Sequence, residues 1–168
     1  MSTTPNQPNR GAVRDDPRRA NPTGAYVMTA GAVLFFIATF LNWLSTGEDT
    51  RTGYELDSVI PLTAYLGLGL AAALLYAAKR ATRRQHRGLS LTSMAAGIAA
   101  TGLALSFLID APGFVETGSD AEIGLYLALI GALVWTVGSF LLAKEPEGDI
   151  EHDDTTTRSD SGRNTSSN

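Results

Sequence analysis

Apolar positions do not recur at helical or strand period along the whole chain but are gathered into four blocks: Ala25 to Leu44, Pro61 to Ala78, Leu89 to Ile109 and Ile123 to Ala143. None of the four contains Asp, Glu, Lys, Arg or His. At 1.5 Å per residue, a run of about 20 residues crosses roughly 30 Å of hydrocarbon, so each block predicts a membrane-spanning helix. The second block is at the short end of that range. Tyr26 and Trp43, near opposite ends of the first block, predict anchors in the two interfacial aromatic belts. Pro61 suits the first turn of a helix, where its missing N–H has no partner to lose. No small-x-small cleavage site follows Leu44, so the first block reads as an uncleaved anchor.

Between the second and third blocks lies Lys79-Arg80-Ala81-Thr82-Arg83-Arg84-Gln85-His86-Arg87. A Lys or Arg at the centre of a spanning helix costs about 2.5 to 3.5 kcal/mol, so these five cations belong in water, joining two helices as a hairpin. The predicted fold class is all-α, a four-transmembrane-helix bundle of two helical hairpins with disordered polar termini. Residues 1–24 form a basic tail holding four of the seven prolines. Residues 25–143 form the membrane domain. Residues 144–168 form an acidic tail rich in Ser and Thr, with almost nothing apolar to bury.

Charge is segregated, so the net value of −4 describes no part of the chain. Nine Lys and Arg flank the blocks from the N-terminal tail and the basic turn, whereas the segments 45–60 and 110–122 hold eight carboxylates and only Arg51. Cations near helix ends set orientation, which predicts both termini and Lys79, Arg80, Arg83, Arg84 and Arg87 on the cytoplasmic side of the plasma membrane, near anionic head groups. Both acidic segments then face outward. There, Glu48, Asp49, Glu116 and Asp120 are weak candidates for a divalent-cation site, since clustered carboxylates hold hard cations.

Small residues pattern the blocks. Gly124, Gly131 and Gly138 recur every seven residues, Gly24, Gly31 and Ala38 do likewise, and Gly97 begins a small-xxx-small pair with Thr101. Such residues let backbones approach closely where no hydrophobic drive acts between helices, so Gly97, Gly124, Gly131 and Gly138 are expected packing positions, with the third helix central. The first and fourth blocks also match at a constant offset of 100, as in Gly31/Gly131, Tyr26/Tyr126 and Phe40/Phe140. Because those helices would cross in opposite directions, a true repeat would be of inverted topology; shared packing needs are the preferred explanation. Trp135 is expected in the core, its indole N–H bonded to a backbone group or hydroxyl.

Chemistry is sparse. Without cysteine there is no disulfide, thiolate metal site or cysteine nucleophile. His86 and His152 lie outside the blocks, where neither can ligate a haem within the bundle. Proton relays and ion-coupled transport ordinarily need ionisable groups at membrane depth, and no phosphate loop, zinc-binding helix or nucleophile elbow is present. No cofactor, no nucleic acid and no enzymatic activity is therefore expected.

Trp43, Gly53-Tyr54-Glu55-Leu56-Asp57, the basic hairpin, and Gly124-Leu125-Tyr126-Leu127 followed by Gly131 and Gly138 resemble small four-span membrane proteins of actinobacteria, in which Pro commonly stands where Asn42 does here. That resemblance implies no activity. The expected role is a structural or accessory subunit in the lipid bilayer, packing against another membrane protein or a second copy of itself. The alternative is a small oligomeric transport or sensing module with an acidic outer face.

Overall fold

The computed structural model describes residues 22–47, 49–80, 83–109 and 119–144. The tails beyond them, Glu48, and most of the second acidic segment, including Glu116, lie outside the described residues. Helix α1 (Thr23–Ala38) leads into strands β1 (Asn42–Thr46) and β2 (Asp49–Thr52), a single turn α2 (Gly53–Leu56), and the long helices α3 (Val59–Arg80) and α4 (Arg83–Ile109). A two-residue strand β3 (Asp120–Ala121) then precedes α5 (Ile123–Ala143). Three helices are long and apolar enough to cross a membrane: α3 over Val59–Ala78, α4 over Arg87–Ile109, and α5.

The chain is mostly helical, as expected, but not all-α: a small three-stranded antiparallel sheet in the order β2-β1-β3 accompanies the helices. The first apolar block is not one helix to Leu44; α1 stops at Ala38, and Asn42-Trp43-Leu44 becomes the start of the central strand. The reason lies in the end of α1, whose last carbonyls have no intrahelical donors. Ala38 O accepts the Leu41 N–H at 3.1 Å and the Trp43 indole N–H at 2.8 Å, while Thr39 O and Leu41 O accept the Tyr54 and Gly53 N–H groups. The returning hairpin thus caps the helix.

Pairing of Asn42 with Thr52 and of Leu44 with Arg51 makes Trp43 the extra residue of a β-bulge. The bulge lets Trp43 and Leu44 both face the core, which strict strand alternation would forbid. Gly47, at φ 64°, takes the left-handed conformation in the hairpin turn, the reason a glycine stands there. β3 pairs with β1 through Leu44 with Ala121 and Ser45 with Asp120, tying the chain ahead of α5 to the end of α1.

Two further boundaries move. α3 begins at Val59, whose N–H is accepted by Asp57 Oδ1 at 2.9 Å, so Pro61 sits inside the first turn, still among residues whose N–H groups need no helical partner. The nine-residue basic turn contracts, since Arg80 closes α3 and Arg83 opens α4. α5 has the bounds read from sequence, set by Glu122 and Lys144 at its ends.

α1 and α5 are the closest pair and run antiparallel. A Cβ on Gly31 would lie 2.7 Å from Gly131 O, one on Gly131 would lie 2.6 Å from Phe35 N, and one on Gly124 would lie 2.5 Å from Asn42 O. Only glycine permits backbones this close. α4 packs on α5 and α3, and α3 on α1, so that α4 is not the central helix.

Candidate functional site

Where the helices meet, four aromatic side chains form an edge-to-face ladder. Phe107 of α4 contacts Trp43 with ring centroids 5.7 Å apart, Trp43 contacts Phe35 of α1 at 6.4 Å, and Phe35 contacts Trp135 of α5 at 6.4 Å. Such pairs contribute about 0.5 to 1.5 kcal/mol each beyond the area they bury. Trp43 is wholly buried, so it is a core residue and not the interfacial anchor expected from its place in the sequence. A Cβ on Gly53 would come within 2.6 Å of its ring, so the glycine after β2 is what admits the indole.

Trp135 reaches all three other long elements of the helical layer. Its ring lies against Gly67 of α3 and Phe35 of α1, and its indole N–H donates to Ser93 Oγ of α4 at 3.0 Å. Ser93 Oγ in turn bonds Ser139 Oγ of α5 at 2.8 Å. Ser139 lies one turn beyond Trp135, so α5 presents both groups to one position of α4. The buried polar side chains among the described residues are Thr39, Ser90, Ser93 and Ser139, and each hydroxyl has a partner. Among the described residues, no histidine or carboxylate is buried with them.

The residues expected at helix contacts are placed on two interfaces. Gly124, Gly131 and Gly138 line α5 against α1, and Gly97 of α4 lies against Thr136 of α5. Gly102 and Gly69 are not contact positions: among the described residues nothing lies within 4 Å of a Cβ built on either.

The sheet does join the two acidic segments, but in a register that separates their carboxylates. Asp49 is opposite Thr46 on one side of β1, and Asp120 is opposite Ser45 on the other. Consecutive strand residues face opposite sides, so the two aspartates lie about two strand spacings apart, roughly 9.6 Å, and on opposite faces. Among the described residues no three His, Cys, Asp or Glu are grouped as metal ligands. The other two candidates, Glu48 and Glu116, lie outside the described residues.

Glu55 has a different role from its neighbours. Its Oε2 accepts the Thr52 N–H and the Thr52 hydroxyl, both at 3.0 Å, holding the turn α2 at its start. Those two bonds, with Arg51 nearby, hold its carboxyl below the ordinary glutamate range. Of the basic cluster, Lys79 and Arg80 end α3, while Arg83, Arg84 and Arg87 occupy the first turns of α4; the side chains of the first four lie outside the described residues, and Arg87 is exposed.

Trp43, Gly53, Ser93 and Ser139 carry this arrangement without having been predicted to. Ser93 was detectable: with Gly97, Ala100 and Ala104 it forms a small-residue seam at steps of four, three and four. Gly53 had no comparable signal, because its contact with Trp43 depends on the hairpin. No family model, curated protein or solved structure matches the chain.

Proposed function

We propose that the chain is a multi-pass integral membrane protein of the plasma membrane without catalytic machinery, crossing four times with both termini cytoplasmic, and serving as a structural or accessory subunit. α1, at 16 residues, supplies the fourth crossing: Gly24 lies beside Leu142 and Gly124 beside Asn42, so α1 and its turn cover the same depth as α5. The observation that carries the accessory role is the closed interior. The ladder from Phe107 to Trp135 fills the helix junction, and the polar groups buried with it, two indole N–H groups and the serine and threonine hydroxyls, are already bonded to one another or to backbone. Interaction is left to the outer surface.

That surface is uneven. The outward residues of α1 and α5 are mostly large, among them Val33, Ile37, Leu133 and Val137. α4 turns a small-residue row outward, Thr92, Ala95, Ala99 and Gly102 at steps of three, four and three, beside the large Leu91, Ile98, Leu105 and Ile109. Large side chains suit lipid, and small ones admit another helix. Since the chain has no cysteine, Ala95→Cys and Ala99→Cys variants give unambiguous cross-linking in native membranes. The reading expects an adduct with one partner or a second copy, together with co-purification in mild detergent. Monomer alone in both assays would remove it. The transport alternative would route a solute between copies, since the ladder occupies the middle of one; solute flux through vesicles holding a cross-linked oligomer tests that.

A further inference from the structure

Trp43 is unavailable as the outer anchor, and four other rings take that position. Phe36 and Phe40 of α1 are in edge contact at 5.2 Å, Phe40 stacks on Tyr54 of α2 at 5.6 Å with 17° between planes, and Phe36 meets Tyr65 of α3 at 5.7 Å. Three elements therefore contribute to one ledge. About half of each of Phe40, Tyr54 and Tyr65 remains exposed, at 50%, 47% and 51%.

We propose that this ledge is the seat of the outer leaflet's glycerol and head-group layer, resting on the membrane reading above. Two boundaries fix its level. Below it, exposed Ile37 and Val33 continue the apolar lipid-facing surface of α1 without a break. Immediately beyond it, Glu55 is exposed and its carboxyl accepts the Thr52 N–H and hydroxyl, and a carboxylate belongs in water and not in hydrocarbon. A ring between hydrocarbon and water, with a phenol at its polar side, suits the interface, where head-group oxygens and glycerol esters accept hydrogen bonds. The length of α1 adds a constraint. Its 16 residues rise about 24 Å, short of the roughly 30 Å of a typical hydrocarbon core, so the turn that carries Phe40 completes the crossing and places the ledge at its outer end.

The cysteine-free chain permits nitroxide labels at single introduced cysteines in phosphatidylcholine vesicles, with collision by oxygen and by a water-soluble nickel chelate reporting depth. The expected result is a Thr50→Cys label open to nickel, a Val33→Cys label open to oxygen alone, and Phe40→Cys and Tyr54→Cys labels between them. A Tyr54 label as open to nickel as Thr50, or as closed to it as Val33, overturns the ledge while leaving the membrane reading intact. A Tyr54 label shielded from both reagents means that protein covers the ledge, and also overturns it. Nickel access at Val33 overturns both readings together. Because a label displaces a stacked ring, Phe40→Trp and Tyr54→Trp supply a second measurement: their emission is expected to be quenched more by lipid brominated near the glycerol than near the chain end, and the reverse order overturns the proposal.

Discussion

Two glycines of similar sequence context have opposite surroundings, and the difference is measurable. A methyl group on Gly31 would lie 2.7 Å from the Gly131 carbonyl and from Trp135 Cα, both backbone atoms that move only if α1 and α5 separate. Overpacking of this kind costs about 1 to 3 kcal/mol. Gly31→Ala is therefore expected to lower stability by that order in detergent unfolding titrations, whereas Gly102→Ala, facing open space, is expected to leave the midpoint within experimental scatter. Equal effects would mean that α1 and α5 are not in backbone contact. The hydroxyl pair gives a second ordering. Ser93 accepts from Trp135 and bonds Ser139, so Ser93→Ala strands the indole N–H, while Ser139→Ala leaves that bond in place. Loss of a buried partner costs about 1 to 3 kcal/mol, although measured values within membranes average roughly 0.6. Ser93→Ala is expected to be the more destabilising and to shift Trp135 emission to the blue; a larger effect from Ser139→Ala would contradict the hydrogen-bond assignment.

At the scale of elements, what was legible is what short-range signals specify. Charged residues bracket α5, and its predicted bounds hold. The end of α1 was not legible, because Asn42-Trp43-Leu44 prolongs an apolar run and only the distant partners Arg51 and Ala121 make it a strand. Pairing over such separations leaves no local periodicity to read. The bulge also hides the usual alternation, placing two consecutive apolar residues on one face. α2 was missed for its size, one turn held by Glu55 and Thr52. That hold has a predictable pH dependence. Glu55 has its folded pKa depressed by the two Thr52 bonds, so its contribution is complete above the ordinary glutamate range and is lost as pH falls through the lowered value. The Thr52 amide resonance is expected to titrate at acidic pH with a midpoint below that of an unstructured glutamate. Glu55→Gln should abolish the transition, and a midpoint at or above the unstructured value would refute the assignment.

At the scale of the molecule, the offset of 100 acquires a physical origin. From Thr23 to Phe40 every residue is buried, half-buried or exposed as its counterpart from Ile123 to Phe140 is. The contacts exchange in the same way: Gly31 faces Trp135 where Gly131 faces Phe35, and Gly24 faces Leu142 where Gly124 faces Asn42. A duplicated hairpin would match α1 with α4 and α3 with α5, which is not the observed pairing. Mutual antiparallel packing, which demands the same small face from each helix, accounts for the match without a repeat. The orientation of this pair in the bilayer follows from charge alone in the proposed reading, since the α1–α5 contact is nearly the same from either end. Nine cations on one side against Arg51 on the other favour the basic connection inside. A reporter fused after Arg87 is therefore expected to be active only in the cytoplasm and one inserted at Gly47 only outside. Replacing Lys79, Arg80, Arg83, Arg84 and Arg87 with Gln while adding lysines beside Asp49 and Asp120 should yield a mixed population, because the N-terminal arginines still favour the original sense. An unchanged single orientation would show that cations at the α3–α4 connection do not set the topology, and exclusive outside activity of the unaltered fusion would reverse the proposed layout.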